Sequence, residues 1–102
     1  MKKLIVRYKV KADKADENEK FIRKVFEELH KNRLDGLRYA CFKLSDGVSF
    51  VHIVSIETTD GTNPLIETPA FKSFNAAIKD RCEEQPVLTE ITEVGSYRFF
   101  GQ

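Results

Sequence analysis

One histidine set among alternating apolar residues is where this 102-residue sequence comes nearest to chemistry. His52 alternates with Phe50, Val54 and Ile56 in VSFVHIVSIE (residues 48–57), so one face of that segment carries an imidazole among apolar side chains. Such an imidazole could act as a general base near neutral pH, or hydrogen-bond a phenol or quinone oxygen. The competing reading is a histidine held by a backbone or tyrosine partner inside a packed core. Tyr8 and Tyr39 are its natural companions: Tyr8 alternates with Val6 and Val10 in LIVRYKVK, and Tyr39 shares a face with Cys41 in LRYACFKL. Each hydroxyl needs a partner if buried. Hydroxyl, imidazole and thiol around an apolar hole would orient an aromatic substrate; tyrosines whose tips reach water are the structural alternative. Cys41 becomes a nucleophile only with a lowered pKa, and no sequence neighbour clearly supplies the positive charge for that. His30, beside Lys31 and Arg33 at the end of a helical segment, reads as compensation of the helix dipole.

The elements that must position these residues follow from hydrophobic periodicity. Residues 4–11 alternate as a first strand. Residues 14–32 start acidic at Asp16, Glu17 and Glu19 and carry Ile22, Val25, Phe26 and Leu29 at helical spacing, which predicts a helix ending before Asp35-Gly36. A second strand follows over 37–44, and Ser45-Asp46-Gly47 closes a hairpin into a third over 48–57. Asp-Gly and Asn-Pro make 58–67 a loop, with room for a short turn at Leu65 and Ile66. Thr68 is expected to cap a second helix and Pro69 to occupy its first turn. That helix carries Phe71, Phe74, Ile78 and Cys82 in one stripe until Pro86 stops it. A last strand is expected from Val87 to Glu93, then a bend at Gly95 and an extended tail over 96–100. The order strand, helix, strand, strand, helix, strand is the α+β, ferredoxin-like βαββαβ arrangement on one antiparallel sheet. The length, 102 residues, predicts a single domain spanning 1–102.

Composition narrows the function classes. Lys and Arg number 17 against 16 Asp and Glu, and a net charge of +1 gives no general pull toward nucleic acid or acidic lipid. The order of elements also occurs in RNA-recognition domains, but DGVSFVHI keeps only Gly47, Phe50 and Val51 of their third-strand motif. Asp46 stands where a basic residue would meet phosphate, and Val48 and Ile53 replace stacking aromatics, so no nucleic-acid partner is expected. Arg7 interrupts the N-terminal apolar run and no stretch is long enough to span a bilayer, so no membrane association and a cytoplasmic location are expected. The 2 cysteines, Cys41 and Cys82, lie far apart and read as buried thiols. No metal-ligand spacing or phosphate-cradling loop is present, so neither metal nor cofactor is expected.

One sheet face is left without helices. Ile5, Val51 and Ile53 stand there beside Arg7, Lys9, Ser55 and Glu57, a mixture that suits a second sheet with embedded charge pairs. Phe99 and Phe100 near the end of the chain add to the apolar surface, and a homodimer through the sheet face is expected.

The segment from Phe50-Val51 through Glu57, then Thr68-Pro69-Ala70-Phe71-Lys72-Ser73-Phe74, resembles the antibiotic-biosynthesis monooxygenase-like family of dimeric α+β barrels, with its small-Pro-x-Phe-x-x-Phe helix start. The resemblance runs over nearly the whole chain. It implies that the His52 face turns toward the helices, where family members keep their pocket. Where many members carry a Trp, thirteen residues before the Pro, this chain has Ile56; where some carry His, it has Leu65 or Ala70. The chain contains no Trp at all, so haem degradation is not expected. The resemblance implies a small cofactor-independent monooxygenase acting on an aromatic or quinone-like molecule. His52 would serve as base or hydrogen-bond partner, Tyr8 and Tyr39 would orient, and Phe50, Val54, Ile56, Phe71 and Phe74 would form apolar walls. The alternative is a non-catalytic dimer of the same fold that binds a small apolar ligand or supports a partner.

Overall fold

In the computed structural model, which describes residues 2–99, the alternating N-terminal segment forms strand β1 (Lys2–Val10). Leu4, Tyr8 and Val10 are buried on one side, while Arg7 on the other is exposed. A single 3-10 turn (Ala12–Lys14) leads into helix α1 (Ala15–Asn32), which turns Asn18, Ile22 and Val25 inward. It ends at Arg33, in the left-handed region with φ 48°, whose N–H donates to the Leu29 carbonyl. Strands β2 (Leu37–Lys43) and β3 (Ser49–Ile56) follow. In the turn between them Asp46 accepts the N–H groups of Val48 and Ser49 at 3.0 and 2.8 Å, so its carboxyl lies at about 2, held down first by the Ser49 hydroxyl and then by these amides.

The expected loop holds a 3-10 turn at Pro64–Glu67, after which come helices α2 (Pro69–Ala76) and α3 (Ile78–Arg81) and strand β4 (Cys82–Ile91). The sheet order is β2-β3-β1-β4 with every pair antiparallel, the ferredoxin-like arrangement. Tyr8 faces Phe50 across β1 and β3, and Cys41 faces His52 across β2 and β3. Leu4, Tyr8, Val10, Phe50, Val54 and Ile56 meet Ile22, Val25, Phe74 and Ile78 from the helices in one core. Each such side chain, fully buried, contributes roughly 1.5–3 kcal/mol.

Three local expectations are corrected. The second helix does not run to Pro86: it breaks at Ala77 and ends at Arg81, and the last strand begins at Cys82 instead of Val87. The ladder with β1 takes over there, with Cys82 opposite Val10 and the Lys11 N–H on the Arg81 carbonyl at 2.8 Å. Pro86 lies inside β4, an edge strand that tolerates a residue without an N–H. Thr68 does not cap α2; its hydroxyl donates to the Pro64 carbonyl, and Glu28 of α1 instead accepts the Ala70 N–H at 3.2 Å. Finally, residues 92–99 join no regular element, and Phe100 lies outside the described residues.

Gly36 occupies a turn that only glycine fits. Its φ is +77°, and a Cβ there would stand 2.6 Å from Thr58 Cγ2, whereas Gly47 at φ +78° opens onto free space. In urea unfolding, Gly36→Ala is expected to cost about 2–3 kcal/mol and Gly47→Ala about 1 kcal/mol. Adding Thr58→Ser to Gly36→Ala removes the clashing methyl but keeps the hydroxyl on the Thr62 carbonyl, and should recover part of the loss. Equal losses at the two glycines would show that Thr58 yields without cost.

Candidate functional site

The alternation of β1, β2 and β3 puts three polar side chains on the helix side of the sheet at adjoining positions. His52 is central and 5% exposed. Its Nε2 lies 2.8 Å from the Tyr8 hydroxyl and its Nδ1 lies 2.5 Å from the Tyr39 hydroxyl. Cys41 Sγ lies 3.4 Å from Nε2. The sheet alone therefore brings together the imidazole, both hydroxyls and the thiol that the sequence singles out.

The helices extend the set by two residues that the sequence reading missed. Asn18 of α1, wholly buried, donates from Nδ2 to the Tyr8 hydroxyl at 2.9 Å. Arg81 of α3, 1% exposed, donates from Nε to Asn18 Oδ1 at 3.0 Å and from Nη2 to the Phe74 carbonyl at 2.8 Å. The guanidinium also lies over the Phe21 ring at 4.5 Å and the Phe74 ring at 5.2 Å, a packing that offsets part of its desolvation. Nη1 is buried with no partner among the described residues. A sequence signal did exist. Asn18 stands four residues before Ile22, and Arg81 three after Ile78, so each occupies an apolar stripe where a polar residue is out of place.

Burial governs the acid–base character of the set. It holds His52 at about 4, below the ordinary 6.5, so the imidazole is neutral at physiological pH. Burial likewise raises the Tyr8 and Tyr39 hydroxyls above their usual range, though the Asn18 hydrogen bond pulls Tyr8 partly back. The Cys41 thiol is pushed up to about 12, by burial first and then by the charge of Glu19, and is thus no ready nucleophile. Among the described residues no three His, Cys, Asp or Glu side chains gather as a metal-binding group.

Tyr39 connects this set to the surface. Half-buried, its ring stacks on Phe26 of α1 with centroids 4.9 Å apart. With Phe26, Leu29, His30, Arg33, Leu34 and Leu37 it lines an open cleft of about 340 Å³. The remaining wall residues named from the sequence lie deeper. Phe50, Val54, Ile56 and Phe74 are buried in the core, Tyr8 stacks on Phe50 with centroids 5.6 Å apart, and Phe71 is half-buried against Phe74.

No protein-family model matches the chain, and no curated protein does. Solved structures do. The chain resembles a Nitrosomonas europaea protein named as a candidate antibiotic biosynthesis monooxygenase at TM-score 0.76 and 20% identity, over 93% of this chain and 100% of that one. SnoaB, a cofactor-independent oxygenase from Streptomyces nogalater, superposes at TM-score 0.68 and 16% identity, over 93% and 94% of the two chains. Rv0793 from Mycobacterium tuberculosis does so at 0.65 and 15%, over 93% and 96%. The fold is therefore that of the antibiotic biosynthesis monooxygenases, as the motif around Pro69 implied. No helix among the described residues is long and apolar enough to cross a membrane.

A histidine whose pKa falls on folding makes stability depend on pH with a fixed sign. Above 6.5 both folded and unfolded His52 are neutral and the stability is fully present; as pH falls, the unfolded chain takes up the proton first. Between pH 6.5 and 4 the protein should therefore lose about 3 kcal/mol on account of His52. Denaturant titrations across that window should show a shallower fall in His52→Gln than in the native chain. Parallel curves would place the titration elsewhere.

Proposed function

We propose that the protein is a small cofactor-independent monooxygenase acting on an aromatic molecule with a phenol, hydroquinone or quinone oxygen. The observation that carries this is Tyr39, a residue that lines the open cleft and whose hydroxyl sits 2.5 Å from a buried imidazole. Phe26, Leu29, Leu34 and Leu37 offer the ring an apolar surface. Tyr39 meets its oxygen, His52 and Tyr8 hold Tyr39 in place, and Phe50, Val54, Ile56, Phe71 and Phe74 support the network from the core. The likeness of fold to an oxygenase that needs no cofactor supports the reading.

In such a reaction an electron-rich substrate reduces dioxygen itself. On a substrate of anthrone type, the ring-flanked methylene gains a C–OOH bond in place of C–H, and loss of water leaves a carbonyl, so the methylene and O2 become a ketone and water. The proton bookkeeping assigns His52 its part. Moving a proton from a phenol of ordinary pKa near 10 to an imidazole at about 4 is uphill by roughly 8 kcal/mol, so His52 serves better as a hydrogen-bond partner than as the base. That weak basicity is also what favours the second reading, a protein of this fold that binds such molecules without oxidising them.

A homodimer through the helix-free sheet face belongs to the same proposal. Ile5, Ala40, Phe42, Val51 and Ile53 are half-buried there and Val87 is 63% exposed, with the Arg38–Glu57 ion pair among them. An apolar face crossed by paired charges fits a second copy of itself better than water.

Oxygen uptake with a panel of hydroquinones and anthrones should be measurable with the native protein and about tenfold or more slower in Tyr39→Phe and in His52→Ala. Binding of panel members without uptake would select the second reading. Sedimentation at micromolar concentration should return twice the 11.8 kDa chain mass, and a monomer would contradict the dimer.

A further inference from the structure

Five side chains form one continuous line of hydrogen bonds, Arg81 to Asn18 to Tyr8 to His52 to Tyr39. Such a line normally has two senses, because hydroxyls, amides and neutral imidazoles can each both donate and accept. This one starts from a group that has no acceptor. A guanidinium only donates, so the Asn18 atom 3.0 Å from Arg81 Nε must be its carbonyl oxygen. The Asn18 amide nitrogen then faces Tyr8 and spends a hydrogen on its oxygen, 2.9 Å away. Tyr8 has one hydrogen of its own. Sent to His52 Nε2 at 2.8 Å, it leaves every polar atom of Tyr8 satisfied; withheld from Nε2, it is a buried donor with no acceptor among the bonds that Tyr8 makes. Neutral His52, bare at Nε2, carries its hydrogen on Nδ1, and the Tyr39 oxygen 2.5 Å away accepts it. The Cys41 thiol, 3.4 Å from Nε2, agrees with this sense, since it too can donate to a bare nitrogen. The Tyr39 hydrogen is the one left over, at the residue that lines the cleft.

We propose that Arg81 and Asn18 are positioning residues that fix the sense of this chain, so that Tyr39 offers the cleft a hydrogen-bond donor and selects ligands with an acceptor oxygen. The matching chemistry is a quinone carbonyl or a phenolate on an aromatic ring, in preference to a neutral phenol that has its own hydrogen to place. Selectivity rests on the proposed function; the sense of the chain does not, and the two are measured separately. The tautomer of His52 reports the sense directly. Histidine labelled with nitrogen-15 should show, in the unliganded protein near neutral pH, His52 protonated at Nδ1 and bare at Nε2, with His52→Gln assigning its signals against those of His30. In Asn18→Asp the carboxylate can only accept, so the Tyr8 hydrogen turns toward residue 18 and the His52 hydrogen should move to Nε2. Equilibrium binding of a matched quinone and hydroquinone should favour the quinone by about fivefold in the native protein, a hydrogen bond's worth, and the preference should invert in Asn18→Asp. Nε2–H in the native protein overturns the proposal, and that spectrum decides even if Asn18→Asp does not fold. An unmoved Nδ1–H in a folded Asn18→Asp overturns the role of Asn18. Failure of both ring compounds to bind, with the expected tautomers, removes the selectivity and the proposed function together while leaving the sense of the chain in place.

Discussion

A guanidinium buried in a core this small needs partners, and those that Nε and Nη2 of Arg81 find order much of the protein. One donor goes to α1 through Asn18, another to the backbone of α2 through the Phe74 carbonyl, and the charge lies between the Phe21 and Phe74 rings. Asn18, so oriented, reaches β1 at Tyr8; Tyr8 reaches β3 at His52; His52 reaches β2 at Tyr39. The chain of polar contacts thus crosses three helices and three strands. Breaking one of these buried hydrogen bonds costs about 1–3 kcal/mol each time. The network adds register to the stability that the close-packed apolar core supplies.

The same constraint explains which parts of the molecule could be read from its letters. Strand parity is rigid, so alternation around Tyr8, Tyr39 and His52 was enough to put them on one side of the sheet, and the Asp-Gly pair was enough to place the hairpin. Asn18 and Arg81 were passed over because helical spacing is usually read for apolar residues, and a polar residue in the stripe is discounted when it should be asked what it bonds. The start of β4 was misplaced for a different reason. Pro86 is a helix terminator only where a helix would otherwise continue, and here β1 had already claimed the backbone at Cys82. The missing Thr68 cap is a tertiary substitution, because Glu28 lies forty-two residues before the Ala70 whose N–H it accepts and no local pattern announces it.

The acid–base state of the site follows from burial in the same direct way. Imidazole, phenol and thiol are all driven toward their neutral forms by the apolar surroundings. Neutral groups of this kind exchange hydrogen bonds and not charge.

The ladder between β1 and β4 is irregular between Arg7 and Lys9 and again between Lys9 and Val10, which bears on how the sheet can be extended. The step from Arg7 to Lys9 in β1 faces the longer step from Val87 back to Glu84, and Pro86 stands in that stretch with no N–H to offer. A further strand arriving along this border would find its ladder interrupted and the edge bent away from it. Growth sideways into a stack of sheets is thereby obstructed along this part of β4.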